Sequence, residues 1–321
     1  MQKALKLTLA LATCFITSQT AWSASYPERA VKIIVPQAPG GASDALARLM
    51  AQELGAKWGQ PVVVENKAGG GGNIGLDAAA KSAGDGYTLL FTYEGTQAIN
   101  VSLRDLPFDP IKDFTPIASV ATVPFIVTLN RDMKVNSFQD FISLSSATDT
   151  VTYGSAGSGT VNHLLGEMLN LEAGTRLTHI PYKGAAPALN DLFGGRINAV
   201  FTSVPSIASH VDAGTVKALA ITSNQRSSRF PDIPTIAESG YPNFHVAPWF
   251  GIFGPANVPQ DIVDKINADV TALLDTDKVK ETLAQQAAEP LKTTPAELKK
   301  MLIDDIEKWR VTVEKSGARV D

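Results

Sequence analysis

The feature that most restricts the fold is an alternation: short β-branched runs and amphipathic stretches follow one another from Val31 to Thr222. Such a succession predicts α/β architecture with parallel strands and disfavours a sandwich or a helical bundle. The run 31–35 reads as a strand. The stretch 42–57 reads as a helix with Leu46, Leu49, Met50 and Leu54 on one face. Strands are expected again at 62–65, 87–91, 151–153, 177–180, 199–202 and 217–222, with helices at about 74–82, 160–172, 185–193 and 203–212. After a turn-rich stretch, 229–243, comes one more apolar strand at 249–253. Almost only helix follows, 259–316, and it is predicted to pack helix on helix. The chain, at 321 residues, exceeds one typical domain of ~100–200 residues, yet no repeat or low-complexity linker divides it. Two lobes without a linker imply crossings within ordered strands, the middle of the sequence forming one lobe and both ends the other. The expected division is 24–121 plus 246–321 for the first lobe and 122–245 for the second.

The amino terminus carries Lys3 and Lys6, then the apolar stretch 7–16, then small residues at Ala21 and Ser23. That is the layout of a secretory signal peptide, 1–23, with cleavage expected after Ser23. The apolar run is about half the ~20 residues a membrane span requires. A lipoprotein reading of the run ending at Cys14 would cut the apolar region short. Cys14 is the single cysteine, so an exported chain without its leader has no disulfide, thiolate metal site or cysteine nucleophile. The 28 basic and 32 acidic side chains give a net charge of −4, which becomes more negative once Lys3 and Lys6 are removed. An acidic balance argues against nucleic acid or an anionic membrane surface as partner.

Local chemistry concentrates in glycine-rich loops between strands and helices. The first is Ala38-Pro39-Gly40-Gly41-Ala42-Ser43-Asp44, where glycines let a ligand approach the backbone and the free N–H groups of the helix start point at it. Ser43 or Asp44 can cap that helix. A second, Gly154-Ser155-Ala156-Gly157-Ser158-Gly159-Thr160, has the same placement in the middle of the chain. If the two face each other across a cleft they form a two-sided anion clamp; otherwise they are tight strand-to-helix turns. A third cluster, Gly70, Gly72 and Gly75 with Glu94 beyond, imitates a dinucleotide fingerprint. The export signal and its position in the second strand–helix unit favour a turn instead. His163 and Glu167 share a helical face but are too few for a metal site. Ser158 and His163 could imitate a nucleophile and its base, although nothing in their spacing brings them together. Lys183, in Tyr182-Lys183-Gly184, offers a cation beside a cleft or an ordinary solvated lysine. No cofactor or metal is expected.

The stretches YPERAVKIIVPQAPGGASDALAR, ENKAGGGGNIGLDAAAKSAGDGYTLLF, LPFDPIKDFTPI, YGSAGSGTVNHLLGEML, HIPYKGAAPALNDLFGGRINAVF, VKALAITSNQRSSRFPDIPTIAESGYPNF and WFGIFGPANVPQDIVDKIN together resemble the tripartite tricarboxylate transporter receptors, the TctC-like or Bug family. The resemblance implies a type II periplasmic binding fold: two α/β lobes joined by crossing strands, with a cleft between them and a helical C-terminal tail. It implies a periplasmic solute receptor, a monomer that captures a small carboxylate for membrane components of such a transporter. By position, the implied ligand-facing residues are Pro39, Gly40, Gly41, Ala42 and Ser43 from one lobe. From the other come Ser155, Ala156, Gly157, Ser158 and Thr160, with Gly184, Ala185, Thr202 and Ser203 behind. Many relatives carry Asp-Asn where this chain has Thr202-Ser203, so the acid that would meet an amino-acid ammonium is missing. Tyr93 and Glu94 stand where relatives often have small or amide residues, adding a ring and an acid near the expected cleft. These departures point to a non-amino carboxylate, a dicarboxylate or an aromatic one. The rival readings are a sensory receptor signalling to a regulatory membrane protein and, from another class, an exported hydrolase using Ser158 and His163.

Overall fold

The computed structural model describes residues 26–320, so the leader, its cleavage site and Cys14 lie outside the described residues. The chain builds two sheets. The first receives β1 (Val31–Val35), α1 (Ala42–Trp58), β2 (Val62–Asn66), α2 (Asn73–Ala80) and β3 (Thr88–Tyr93). A π-helical turn, Gly95–Ile99, runs into the short α3 (Asn100–Leu103), and β4 (Phe114–Thr122) leaves the lobe. The second lobe contains β5 (Phe125–Asn130), α4 (Phe138–Ala147), β6 (Thr152–Ser155), α5 (Val161–Ala173), β7 (Thr178–Pro181), α6 (Ala185–Phe193), β8 (Ala199–Ser203), α7 (Val204–Asp212) and β9 (Val216–Ile221). The chain then returns through β10 (Trp249–Pro255), followed by α8 (Gln260–Leu273), α9 (Asp277–Gln285), β11 (Glu289–Pro290) and α10 (Pro295–Ser316).

Strand order is β11-β4-β10-β3-β1-β2 in one sheet and β7-β6-β8-β5-β9 in the other. The expected parallel pairing holds for β1 with β2 and β3, and for β6 with β7 and β8. It fails at the two strands by which the chain enters a lobe, and at the two-residue edge strand β11, which is antiparallel to β4. β10 is antiparallel to β3 and β4, and β5 is antiparallel to β8 and β9. A strand arriving from the opposite lobe runs against strands whose carboxyl ends face that lobe. The sheets are therefore mixed, and the carboxyl ends of β1, β2, β3 and β6 are turned toward the same inter-lobe space. That is where α/β sheets bind ligands.

The two crossings lie side by side. Val123 N–H donates to Pro248 O at 3.0 Å. The buried Thr222 hydroxyl accepts from Phe125 N–H at 3.1 Å and donates to Val246 O at 2.6 Å.

Alternation along β1 sends Ile33 and Val35 to one face and Ile34 to the other, and all three are buried. Both faces therefore need cover. The predicted helix-on-helix tail supplies it instead of forming a bundle. On α8, Val263, Ile266 and Val270 join the core of Ile33 and Val35, and Asn267 Nδ2 donates to Ile117 O of β4 at 2.8 Å. On the opposite face α10 contributes Leu298, Leu302 and Trp309 to a core continuous with Leu164 and Leu165 of α5. Helix α10 thus touches both lobes. Thr294 and Glu297 close a reciprocal capping box at its start, and Gly317 ends it in the left-handed region. Among the described residues no helix is long and apolar enough to cross a membrane.

Candidate functional site

The loop after β1 is shaped from inside. Gly40 takes φ +90°, a conformation suited to glycine, and Gly41 is the extended N-cap of α1 with no side-chain cap. Neither Ser43 nor Asp44, both able to cap, does so here. The Asp44 carboxylate turns back to accept from Gly40 N–H (3.0 Å), Arg48 Nε (3.0 Å) and Asn66 Nδ2 (2.9 Å), pinning the loop to β2. The Arg48 guanidinium and these N–H donors hold Asp44 down at about 2 despite burial. With Asp44 spent in this way, no side chain of the helix occupies the first N–H groups of α1. Pro39, Gly40 and Gly41 are exposed, Ala42 is half-buried and Ser43 is buried.

The loop after β6 is held by a different network. The Ser155 hydroxyl is buried and lies 2.6 Å from His179 Nε2, and Gly157 N–H donates to Ser155 Oγ at 3.0 Å. Thr160 Oγ1 donates to Gly157 O at 2.7 Å, and Gly159 N–H donates to His163 Nδ1 at 3.0 Å. His163 stacks on His179 with ring centroids 3.8 Å apart. Burial pushes His163 down to about 4. Burial, together with repulsion from His163 once that ring is protonated, pushes His179 down to about 3. Both imidazoles are neutral at neutral pH, as the acceptor role of His163 Nδ1 requires. Helix α5 begins without a side-chain cap. Gly184 N–H donates to Ala156 O at 3.2 Å, which sets Gly184 and Ala185, at the start of α6, against this loop. Lys183 is exposed. Thr202 is buried at the end of β8, one strand from β6, and the half-buried Ser203 hydroxyl pairs with Ser206 at 2.7 Å.

A cavity of about 300 Å³ lies where the lobes meet. Of the expected residues, Tyr93, Ser158 and Thr160 line it. Gln37 and Ala38 stand in the wall just before Pro39. Gly159 of the second loop lines it too, and so do Gln37, Gly71, Thr96, Asn100 and Arg104, which the sequence does not mark as ligand-facing. The third glycine cluster, read as a turn, forms part of this wall through Gly69, Gly71 and Gly72. Gly75 has a separate packing role, since a Cβ there would lie 2.7 Å from Pro36 Cα and Lys67 O. The glycine spacing was a visible signal. For Asn100 and Arg104 there was none, because the helix after β3 was not anticipated.

Glu94 is a correction. It is 1% exposed and does not line the cavity; its carboxylate accepts from Trp309 Nε1 at 2.6 Å and from Lys308 Nζ at 3.1 Å. Tyr93 and Glu94 are adjacent where β3 ends, and the chain sends Tyr93 to the cleft and Glu94 to α10. The hydrolase arrangement is not assembled either. His163 Nδ1 is taken by Gly159 N–H, and its Nε2 faces Glu167 at 3.7 Å. The serine that meets a histidine is the buried Ser155, not Ser158. Among the described residues no three His, Cys, Asp or Glu side chains are grouped as metal ligands. Among the described residues lining the cavity, Arg104 is the single charged side chain.

Comparison with known proteins agrees with this geometry. Residues 46–318 match the model of the tripartite tricarboxylate transporter family receptor. Protein BugT of Bordetella pertussis (strain Tohama I) is 38% identical over 299 residues, covering 92% of each chain. An R. palustris protein solved with adipate shares 33% identity and superimposes with TM-score 0.81, over 92% of this chain and 100% of its own. MatC from Rhodopseudomonas palustris with bound malate shares 32% identity at TM-score 0.77, over 90% and 100%. The two-lobed binding-protein fold implied by the resemblance is the fold of this chain.

Proposed function

Since the chain belongs to the family of tripartite tricarboxylate transporter receptors, we propose that it captures a small organic carboxylate in the periplasm, as a monomer, for membrane components of a tripartite tricarboxylate-type transporter. The observation that carries this reading is the inter-lobe cavity: it is walled by glycine-rich backbone and hydroxyls and includes no acidic side chain among its described lining residues. The ligand carboxylate meets the helix starts of α1 and α5, whose N–H groups no side chain occupies. In this reading closure brings Pro39 to Ser43 to one side of it and Ser155 to Thr160 to the other, with Gly184, Ala185, Thr202 and Ser203 behind; of these, Ser158, Gly159 and Thr160 already line the cavity.

Asp44, in the loop after β1, and Glu94, at the end of β3, do not serve a ligand ammonium. Asp44 is held by Gly40, Arg48 and Asn66, and Glu94 by Trp309 and Lys308. Thr202 and Ser203 supply no carboxylate. The favoured ligand is therefore a carboxylate without an amino group. Closure proceeds by rotation of lobe 24–121 plus 246–321 against lobe 122–245 about the paired crossings, and the ligand's differential affinity sets the closed population.

Thermal unfolding with a panel of carboxylates, amino acids, sugars and cations tests this. A non-amino carboxylate should raise the melting temperature, because a ligand that binds only the folded state stabilises it by mass action. A clear response to sugars or cations with none to any carboxylate would overturn the reading.

A further inference from the structure

Arg104 stands out in the cavity wall. Its backbone N–H donates to Asn100 O at 3.0 Å. Asn100 is in turn fixed by its side-chain nitrogen, which donates to Gly71 O at 2.9 Å and Asn73 Oδ1 at 2.8 Å. The turn that carries Arg104 is thereby tied to the glycine loop after β2. Gly71 takes φ +69°, and a Cβ built on it would lie 3.8 Å from Arg104 Nε, so the guanidinium runs alongside bare backbone. Elsewhere in the molecule Arg48, Arg196, Arg226 and Arg310 each hold a carboxylate. Among the described residues the Arg104 guanidinium has no such partner, although it is the one charge lining the cavity.

A guanidinium offers a planar fork of donors matched to a carboxylate, which a helix start does not. The helix starts of α1 and α5 account for one anionic group of a ligand; Arg104, on the α3 side of the same wall, accounts for a second. A cavity of about 300 Å³ is at the small end of the ~300–1,000 Å³ typical of ligand pockets, which suits a short-chain diacid. We propose that Arg104 is a specificity-determining residue that binds the distal carboxylate of a dicarboxylate, so that the receptor prefers diacids to monoacids of the same chain length. This rests on the receptor reading above.

The test is calorimetric titration of the full chain with matched pairs: succinate and butyrate, glutarate and pentanoate, adipate and hexanoate. The wild type should favour at least one diacid over its matched monoacid by about 10-fold or more, the scale of one charge-assisted hydrogen-bonded pair. Arg104→Met should lose about that factor for the diacid while monoacid affinity stays within about 3-fold. Arg104→Lys, which keeps the charge without the fork, should recover part of the loss. An unchanged diacid-to-monoacid ratio in Arg104→Met, with an unchanged melting temperature showing intact folding, overturns the proposal. So does a wild type that binds monoacids as well as diacids, an outcome that leaves the carboxylate reading standing. A wild type that binds neither class overturns the proposal, and the wider panel above then decides the carboxylate reading.

Discussion

Gly159 has φ +78°, and a Cβ there would lie 2.5 Å from Leu103 Cδ1 and 2.8 Å from Val320 Cγ2. Leu103 belongs to the other lobe and Val320 to the tail beyond α10, so the missing side chain is what lets the lobes approach at this point of the cavity. Gly159→Ala should weaken carboxylate binding by about 10-fold or more, since it adds backbone strain and props the lobes apart; titration of the variant reads this directly, and unchanged affinity would remove Gly159 from the closure contact. The neighbouring His163 and His179 make a prediction in pH. Their folded values, about 4 and about 3, lie below the ~6.5 of an unfolded histidine. Between these limits the unfolded chain binds more protons. Their contribution to stability is therefore complete above pH ~6.5 and falls as the pH drops toward 4. Following the imidazole protons by NMR should show neither ring titrating near pH 6.5; an ordinary titration there contradicts the buried pair.

At the scale of elements, α10 turns an acid that looked like a ligand contact into a structural one. Glu94→Gln keeps an acceptor for Trp309 and removes the charge facing Lys308, which retains Asp305 at 2.6 Å. The variant should lose about 1–3 kcal/mol of stability, the usual cost of disturbing a buried charged hydrogen bond, with ligand affinity within about 3-fold. Urea unfolding and titration measured together separate this from a ligand-contact role, in which affinity falls and stability does not. The loops show the same division of labour. Gly40 and Asp44 were legible as a glycine-rich turn running into a helix, because φ preference and helix-start chemistry are local. That Asp44 would pin the loop through Asn66 instead of capping α1 depends on a strand 22 residues away, and no local pattern encodes that.

For the whole molecule, the paired crossings decide how the lobes are coupled. Thr222 is fully buried and its hydroxyl serves both crossings, accepting from Phe125 N–H and donating to Val246 O. Thr222→Val keeps the shape but leaves Val246 O without this donor. It should cost about 1–3 kcal/mol, the price of a buried unsatisfied group, measured as a lower urea midpoint; a midpoint equal to the wild type's would show that the crossings do not depend on this tie. The alternation of short strands and amphipathic helices, the glycine loops at strand ends and the long C-terminal helices were all determined by the sequence, since periodicity and turn chemistry act over a few residues. The reversed direction of β5 and β10 was not, nor was the placing of Arg104, Gly71 and Ser158 in one cavity wall, or the burial of Glu94 under Trp309. Those arrangements exist only once the chain has crossed between lobes and returned, which brings residues from distant segments to one cleft and places α10 behind it.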